Sequence, residues 1–464
     1  MTSTEALARS NKPHSVAILN ERLDAVLVKF RQELTEMVDQ LNEADLSRTA
    51  LESLTGSLRR ATAEAGKSAF VALVESRDTM SSVVEHEGHP CRFKEVAEKQ
   101  WCTPFGRAPI RRRTFAADKA PTRVAPLDHV WGMADRYLTP EVEEMVAFAS
   151  GLVTPSEAEQ LLRKTLPEAP SATAIKRAIR DVGDFIEERR DQIETRIEDE
   201  RPLAAGDNLV VSWDGAMVPL RGGSSGAEWR EAGIARISTY DEPRTSGKRP
   251  EMRDSRYLAQ MPESKMTTLV GEIATQVAGL REERDFEHVA VICDGKDSIW
   301  REVSRPAFAG AVLILDFYHA AEHLSGAAKA IFGRDEARAS RWFDKRRHEL
   351  RHFRGAIGRI IRALRRYLNQ LNAKSERYET VRRAIGYFVK NRRRMRYREF
   401  VDMGLPIGSG HVESAAKNII GQRLKRSGMR WSRDGGQRVL NLRTLIKDER
   451  WPSAWAEYRD RAAA

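Results

Sequence analysis

Four carboxylates stand out for where they fall. Asp214 and Asp294 each sit in an Asp-Gly pair against a strongly apolar, β-type run, NLVVSWDGAMVP for the first and HVAVICDG for the second. An Asp-Gly pair is usually a turn, and Asp434 reads that way. An unpaired carboxylate beside apolar strands is unfavourable unless something compensates it. Asp316 closes a further apolar run, AVLILD, and Glu413 lies in the first turn of a helix that GSG opens. Acids brought together repel one another, and a divalent cation resolves the repulsion. Mg²⁺ takes hard oxygen ligands and retains water for substrate phosphates, and two such ions stabilise both the attacking and the leaving oxygen of an in-line phosphoryl displacement. Metal-assisted phosphoryl transfer is therefore the chemistry that Asp214, Asp294 and a later acid could share. Glu413 has two readings: a ligand, or an acid that favours its helix dipole and pairs with Lys417 four residues on.

A competing chemistry is spelled by His319-Ala-Ala-Glu322-His323, which fits H-x-x-E-H, a zinc-protease signature with two histidines one helical turn apart. The motif is short, and a protease has no obvious use for the basic segment that follows it. Cys91 and Cys102, eleven residues apart without histidine support, read as two small buried residues rather than a zinc site.

The acids need elements to hold them. From residue 208 strands alternate with helices: Asn208 to Pro219, Trp229 to Tyr240, His288 to Asp294 and Ala311 to Asp316 as strands, with a helix over Lys265 to Leu280. That alternation, with acids at strand ends, predicts an α/β domain with its site at a sheet edge. Residues 320–400 read as wholly helical, Gly404 to Gly410 breaks the pattern, and His411 to Leu424 opens a new helix. Upstream, residues 16–45 are amphipathic, with Leu23, Leu27, Phe30, Leu34, Met37, Val38 and Leu41 at three- and four-residue spacings. A second helix runs to about Ser76. Pro and Gly then punctuate 85–130, where FGRAPIRRRTF reads as a turn and a basic strand. Three short helices between Thr139 and Arg190 each open on a Ser/Thr cap, two with Pro in the first turn, a pattern that suits a helix-turn-helix or a plain three-helix module.

Composition narrows the partners. The 464 residues are 41% hydrophobic and 31% charged, which excludes global disorder, and net charge is +11. Residues 341–400 hold 20 Lys/Arg against 5 Asp/Glu, so this block alone carries more positive charge than the whole chain. Such a block fits a polyanion such as nucleic acid, with a solvated helix face as the alternative. Three cysteines cannot build a disulfide framework, the start lacks a signal-peptide pattern, and no apolar run approaches 18 residues. The expectation is a cytoplasmic, nucleoid-associated protein without a membrane span.

VVSWDG, VICDGKDSIW, LDFYHAAEHL and GSGHVESAAKNIIGQRLKRSGMRWS resemble bacterial insertion-sequence transposases of the ISKra type. These are DDE enzymes similar in plan to Mutator-like transposases, with an RNase H-like core interrupted by a helical insertion. The resemblance covers residues 205–446, and extends weakly upstream through WCTPFGRAPIRRRTF and PLDHVWG. It implies catalytic, metal-binding acids at Asp214 on the first core strand, Asp294 after the fourth and Glu413 after the insertion, with Mg²⁺, or Mn²⁺ in its place. Asp316 and His319 match a supporting Cys/Asp-x-x-His element, and Asp316 is the alternative to Asp294 as second ligand. Relatives tend to carry a Cys-rich ribbon upstream, of which only Cys91 and Cys102 remain here.

The expected organisation is a helical region over 1–80, a Pro/Gly-rich β/loop segment over 81–135, and a helix-turn-helix-like module over 136–200. A core over 205–325 and 405–450 would be interrupted by the basic insertion at 326–404 and followed by a tail at 451–464. The expected activity is that of a transposase acting on double-stranded DNA. It would bind the inverted repeats of its own element and join transposon ends to target DNA as a dimer or higher oligomer. Arg423, Lys425, Arg426 and Arg430 would contact phosphates, and Trp431 would stack on a flipped or end base or fill the core. The alternatives are an inactive or domesticated DNA-binding regulator, and the zinc protease of His319, Glu322 and His323.

Overall fold

A computed structural model describes residues 16–43, 47–117, 123–222, 226–242 and 250–461. It is mixed α/β and divides into two compact units, one built from residues up to Arg196 together with those from Pro452 onward, the other Ile197–Trp451.

The first unit opens on two long helices, α1 (Val16–Glu43) and α2 (Arg48–Glu75), packed on each other. Leu23, Phe30, Leu34 and Met37 are half-buried, while Leu27, Val38 and Leu41 stay exposed, because one partner helix covers only one face. A three-stranded antiparallel sheet follows: β1 (Val83–His86), β2 (His89–Thr103) and β3 (Gly106–Ala116) in that order. Trp101, Ile110 and Leu127 close its core, and Cys91 and Cys102 are both buried there as free thiols, as expected. After a single turn, α3 (Pro126–Val130), come the three short helices α4 (Pro140–Leu152), α5 (Pro155–Thr165) and α6 (Ala172–Glu188), then α7 (Arg190–Glu200), which runs on into the second unit. Thr154 and Ser171 cap as their sequence predicts, Thr154 in a reciprocal capping box with Glu157.

The C-terminal helix α17 (Trp451–Asp460) corrects the expectation of a separate tail. Its Tyr458 hydroxyl donates to Glu143 Oε1 at 3.0 Å and accepts from Arg136 Nη1 at 2.9 Å. Glu143 is only 5% exposed, so burial raises its pKa, and Arg136 and Tyr458 oppose that rise. The tail thus completes the solvation of a buried carboxylate.

The second unit is built on a five-stranded mixed sheet in the order β6-β5-β4-β7-β8. Strands β4 (Asn208–Arg221), β5 (Ala227–Asp241) and β6 (Glu251–Gln260) are antiparallel, whereas β7 (His288–Cys293) and β8 (Val312–Leu315) run parallel to β4. Strand β6 is the one the sequence reading lacks: EMRDSRYLAQ is an edge strand whose charged residues interrupt any apolar alternation. Helices α8 (Thr267–Glu283) and α9 (Asp297–Glu302) complete the crossovers around β7.

The basic segment is five helices: α10 (Phe317–Phe332), α11 (Glu336–His352), α12 (Ala356–Leu368), α13 (Glu376–Lys390) and α14 (Tyr397–Asp402). It is not a separate body, since Leu350, Ile360, Leu364 and Phe388 belong to one apolar core with Val211, Ile292 and Leu315 of the sheet. In α12, Ile357, Ile360, Ile361 and Leu364 face inward while Arg359, Arg362, Arg365 and Arg366 are exposed. Part of the charge excess is thus the outer half of an amphipathic helix. Helix α15 (Gly410–Ala415) runs on through a π-helical turn (Ala416–Gly421) to Gln422–Leu424, and α16 (Arg433–Lys447) follows.

Tyr458→Phe removes the hydroxyl from Glu143 and Arg136, an expected loss of about 1–3 kcal/mol. Calorimetry should show the first unit melting a few degrees lower. An unchanged melting temperature would mean that α17 is not part of that unit's stabilising network.

Candidate active site

The sheet register brings three of the sequence-predicted acids together. Val211 on β4 pairs with Val291 on β7, and Cys293 pairs with Leu315 on β8. Counting three residues on from the first pair and one from the second puts Asp214, Asp294 and Asp316 in one row across neighbouring parallel strands. The backbone confirms the last step, since the Asp316 N–H donates to the Cys293 carbonyl at 2.9 Å. Neighbouring strands are about 4.8 Å apart, so these side chains emerge in each other's field. Burial raises the pKa of Asp214 most, the Gly215 N–H and Lys296 lower it, and Asp294 and Glu231 raise it again.

The three acids are solvated differently. Asp316 is 1% exposed and caps α10: its Oδ1 accepts the His319 N–H at 2.7 Å, and its Oδ2 accepts both the Ser409 N–H and, at 2.8 Å, the Ser409 hydroxyl. Both oxygens are thus committed to protein donors, and they fasten the segment before α15 to the sheet edge. The Phe317 N–H donating to the Ile407 carbonyl at 2.9 Å adds a second fastening. Among the described residues, Asp294 Oδ1 accepts the Lys296 N–H, at 2.9 Å, and Asp214 Oδ1 the Gly215 N–H, at 2.7 Å. Asp214 and Asp294 therefore keep coordinating capacity that Asp316 has spent.

Glu413 is exposed and reaches the row through Ser409. The Ser409 hydroxyl lies 3.5 Å from Glu413 Oε1 but 2.8 Å from Asp316 Oδ2, and its single proton goes to the nearer acceptor. Burial, then Asp316, Asp214 and Glu322, raise the Glu413 pKa, and the Ser409 hydroxyl opposes them. Glu413 and Asp214 thus share one field across the edge, on a helix that packs on β4 and β5.

Two flanking groups went unread in the sequence. Lys296 Nζ is 2.8 Å from Glu231 Oε1 on β5 and 3.5 Å from Asp294 Oδ2. Burial lowers the Lys296 pKa, but the Glu231 hydrogen bond and the charges of Asp294, Glu231 and Asp214 together hold it above the ordinary value. The glycines after the acids serve close approach rather than turns: neither has positive φ. The Glu231 carboxylate occupies the place of a Gly215 Cβ, and the Tyr387 ring lies 2.5 Å from that of Gly295. Tyr387 belongs to α13, so the helical insertion presses directly on the loop bearing Asp294, and Lys390 of the same helix pairs with Asp297. The signal that could have found these contacts is the glycine following each acid.

The remaining predicted residues separate. His319 is half-exposed, 3.7 Å from Glu322 through Nδ1, and sets its ring 74° to that of His323, which stacks on Tyr387 at 3.8 Å. Arg423 is corrected: it is fully buried, with its guanidinium over the Trp431 ring at 5.2 Å, and so is not a surface cation. Lys425, Arg426 and Arg430 are exposed as expected. Trp431 is half-buried, bonds Leu424 through Nε1 at 3.0 Å and extends the sheet edge beside Leu220, which favours its structural reading.

No protein-family model and no curated protein matches the chain. Among solved structures, the Drosophila P element transposase strand transfer complex is similar over 68% of this chain and 80% of that chain, at 12% identity and a TM-score of 0.23. A likeness at that level carries no argument about function, and the site is read from its own geometry.

Among the described residues no three His, Cys, Asp or Glu side chains stand close enough together to enclose a metal ion. A full cage is not what Mg²⁺ requires, since one or two carboxylates plus substrate phosphates suffice. Asp214 and Asp294 fit that description in donor type and adjacency.

Asp316→Asn should lower stability by roughly 1.5–3 kcal/mol, the worth of hydrogen bonds to a charged acceptor. Asp214→Asn should instead raise stability at neutral pH. The raised Asp214 pKa means that the folded state disfavours its charge. That penalty is full above the folded value and vanishes as pH falls below the ordinary carboxylate range, and the variant's advantage vanishes with it. Urea titrations at neutral and acid pH test both, and a destabilised Asp214→Asn would contradict this account.

Proposed function

We propose that the chain is a DNA transposase of the DDE class, acting on the ends of its own element. The observation that carries this reading is the row formed by Asp214, within β4, and Asp294, just past the end of the adjacent parallel strand β7, with Glu413 in the same field. An RNase H-like core is supported by a mixed sheet whose first strand lies between an antiparallel and a parallel neighbour. The sequence motifs that resemble ISKra-type transposases supply the same three acids in the same order.

Asp214, Asp294 and Glu413 would hold Mg²⁺, or Mn²⁺ in its place. Asp294 is preferred over Asp316 because Asp316 already accepts from three protein donors. When bound, the ions supply Lewis-acid stabilisation of the attacking and leaving oxygens. The carboxylates orient the scissile phosphate and the attacking water, whose oxygen forms the new P–O bond as the 3′-oxygen leaves as a hydroxyl. That 3′-hydroxyl then attacks a target phosphate in the same way, exchanging one P–O bond for another, so no covalent protein–DNA intermediate is needed. Lys296, bridging Glu231 and Asp294, keeps the Asp294 carboxylate oriented while the row is empty of cations.

The outer face of α12 supports DNA as the substrate: Arg362, Arg365 and Arg366 are exposed and pair with no carboxylate among the described residues. Lys425, Arg426 and Arg430 add a second basic surface after α15. No described helix is long and apolar enough to cross a membrane. Joining two ends calls for at least a dimer on DNA.

The deciding experiment incubates the full chain with DNA carrying the flanks of its own gene, with Mg²⁺ or Mn²⁺. Cleavage at the element ends, reduced to background in Asp214→Asn and Asp294→Asn, is the expected result. Divalent ions should also raise the melting temperature of the wild type, by the equivalent of about 2.7 kcal/mol at a hundredfold excess over Kd, and not that of Asp214→Asn. Tight DNA binding with neither cleavage nor metal stabilisation would point instead to a DNA-binding regulator.

Replacing Arg362, Arg365 and Arg366 with Gln should weaken duplex binding and lower the slope of log affinity against log salt by up to about three. Unchanged binding at moderate salt would remove the insertion from the DNA surface.

A further inference from the structure

A second concavity lies in the same unit. It is a cavity of about 370 Å³ between the start of α10, the ends of α11 and α14, and the segment leading into α15. Its floor is apolar, formed by Phe317 among others, and Tyr318 stands at its wall 46% exposed, edge-on to Phe317 with centroids 5.7 Å apart. Besides Tyr240 and Tyr318, its polar side chains among the described residues are the guanidiniums of Arg351 and Arg398 and the imidazole of His352, with no carboxylate among them.

The field inside is positive. Arg398 is paired with Asp402 at 2.6 Å, outside the lining, whereas Arg351 meets no carboxylate among the described residues. Desolvation and then the charges of His348, Arg351 and Arg398 hold the His352 pKa below its ordinary value. A flat aromatic wall, an apolar floor and the Arg351 guanidinium, which meets no carboxylate among the described residues, together suit a ligand with a planar ring and an attached anion. Unpaired nucleotides are recognised in this way, by stacking on aromatic rings and by Arg contacts to phosphate. The volume also falls within the range of small-ligand pockets.

Position selects the source of the nucleotide. The cavity is bordered by Gly408 and Gly410, and Tyr318 lies 2.9 Å from the Cβ position of Gly408. Between those glycines, Ser409 donates to Asp316 and lies within reach of Glu413. A strand whose phosphate lies at the acid row would therefore carry a neighbouring nucleotide to the cavity mouth. A base inside duplex is stacked on both faces and cannot enter, so the occupant must be unpaired.

We propose that this cavity binds one unpaired nucleotide of the DNA strand being processed, its base against Tyr318 and its phosphate at Arg351 and Arg398. The assignment rests on the transposase reading above and adds to it a requirement for locally opened DNA.

The test uses the full chain without divalent ions and two duplexes of identical sequence. One is blunt, and the other ends in a three-nucleotide single strand carrying 2-aminopurine. The wild type should bind the extended duplex roughly tenfold tighter and quench the 2-aminopurine. Tyr318→Ala should lose both the preference and the quench while binding blunt duplex as the wild type does, and Tyr318→Phe should keep them. Arg351→Gln should weaken binding of the extended duplex and reduce its salt slope by about one.

Equal affinity for the two duplexes, or a quench that survives Tyr318→Ala, overturns the cavity assignment and leaves the transposase reading standing. Displacement of the extension by free dATP with no loss of blunt-duplex binding also overturns it, in favour of a free nucleotide. Failure to bind either duplex sinks the transposase reading itself and this proposal with it.

Discussion

Three carboxylates at one level across three neighbouring parallel strands, Asp214 within β4 and Asp294 and Asp316 just past the ends of β7 and β8, form the constraint around which the second unit is arranged. The sheet register creates the crowding, and the surroundings then solvate each acid separately. Asp316 is neutralised by protein donors and becomes a joint: the N-terminus of α10 and the segment entering α15 are both fastened to it. Asp294 is offset by Lys296, itself shared with Glu231. Asp214 is left with its own neighbouring N–H, and burial with the nearby acids raises its pKa. The row is thus graded from a structural acid to ones with free oxygens, and such a gradient marks the place where a cation would relieve the most repulsion.

The insertion makes sense in the same terms. A basic helical segment could have been an appendage, yet its apolar residues share the core of the sheet. Tyr387 closes on Gly295 and stacks on His323, and Lys390 reaches Asp297, so α13 holds both the loop after β7 and the first helix after β8. One face of the insertion positions acids while the other presents arginines. The exposed arginines and the geometry at the site are therefore carried by a single set of helices. The π-helical turn after Glu413 lies in the same region, a distortion often found at functional sites.

Much of this was legible in the residues. Apolar periodicity gave α1, and helical stretches were legible to about Ser76 and over 320–400; β-type runs gave β4, β5, β7 and β8; Ser/Thr caps gave α4, α5 and α6. These features are written locally, because period and capping act within a few residues of chain. The acids themselves were legible too, since a carboxylate at the end of an apolar strand is conspicuous wherever it occurs. Strand β6 was not, because the charged residues of EMRDSRYLAQ interrupt any apolar alternation, and Arg256, Leu258 and Ala259 are buried only by the fold around them. Arg423 was misread because nothing in its local pattern of basic residues reveals that Trp431, eight residues on, folds back over it.

The sequence by itself determined that Asp214, Asp294, Asp316 and Glu413 were the candidate acids, that Asp214 sits within an apolar strand and the other three at element ends, and that one segment carries the positive charge. Only the tertiary structure decided how they relate. Register depends on pairings eighty residues apart between β4 and β7 and twenty-two apart between β7 and β8, and no local signal specifies which residue faces which across such gaps. The choice between Asp294 and Asp316 likewise turns on Ser409, more than ninety residues from Asp316. Its donors consume one acid's lone pairs and leave the other's open, and chain distance hides that contact until the fold brings the two together.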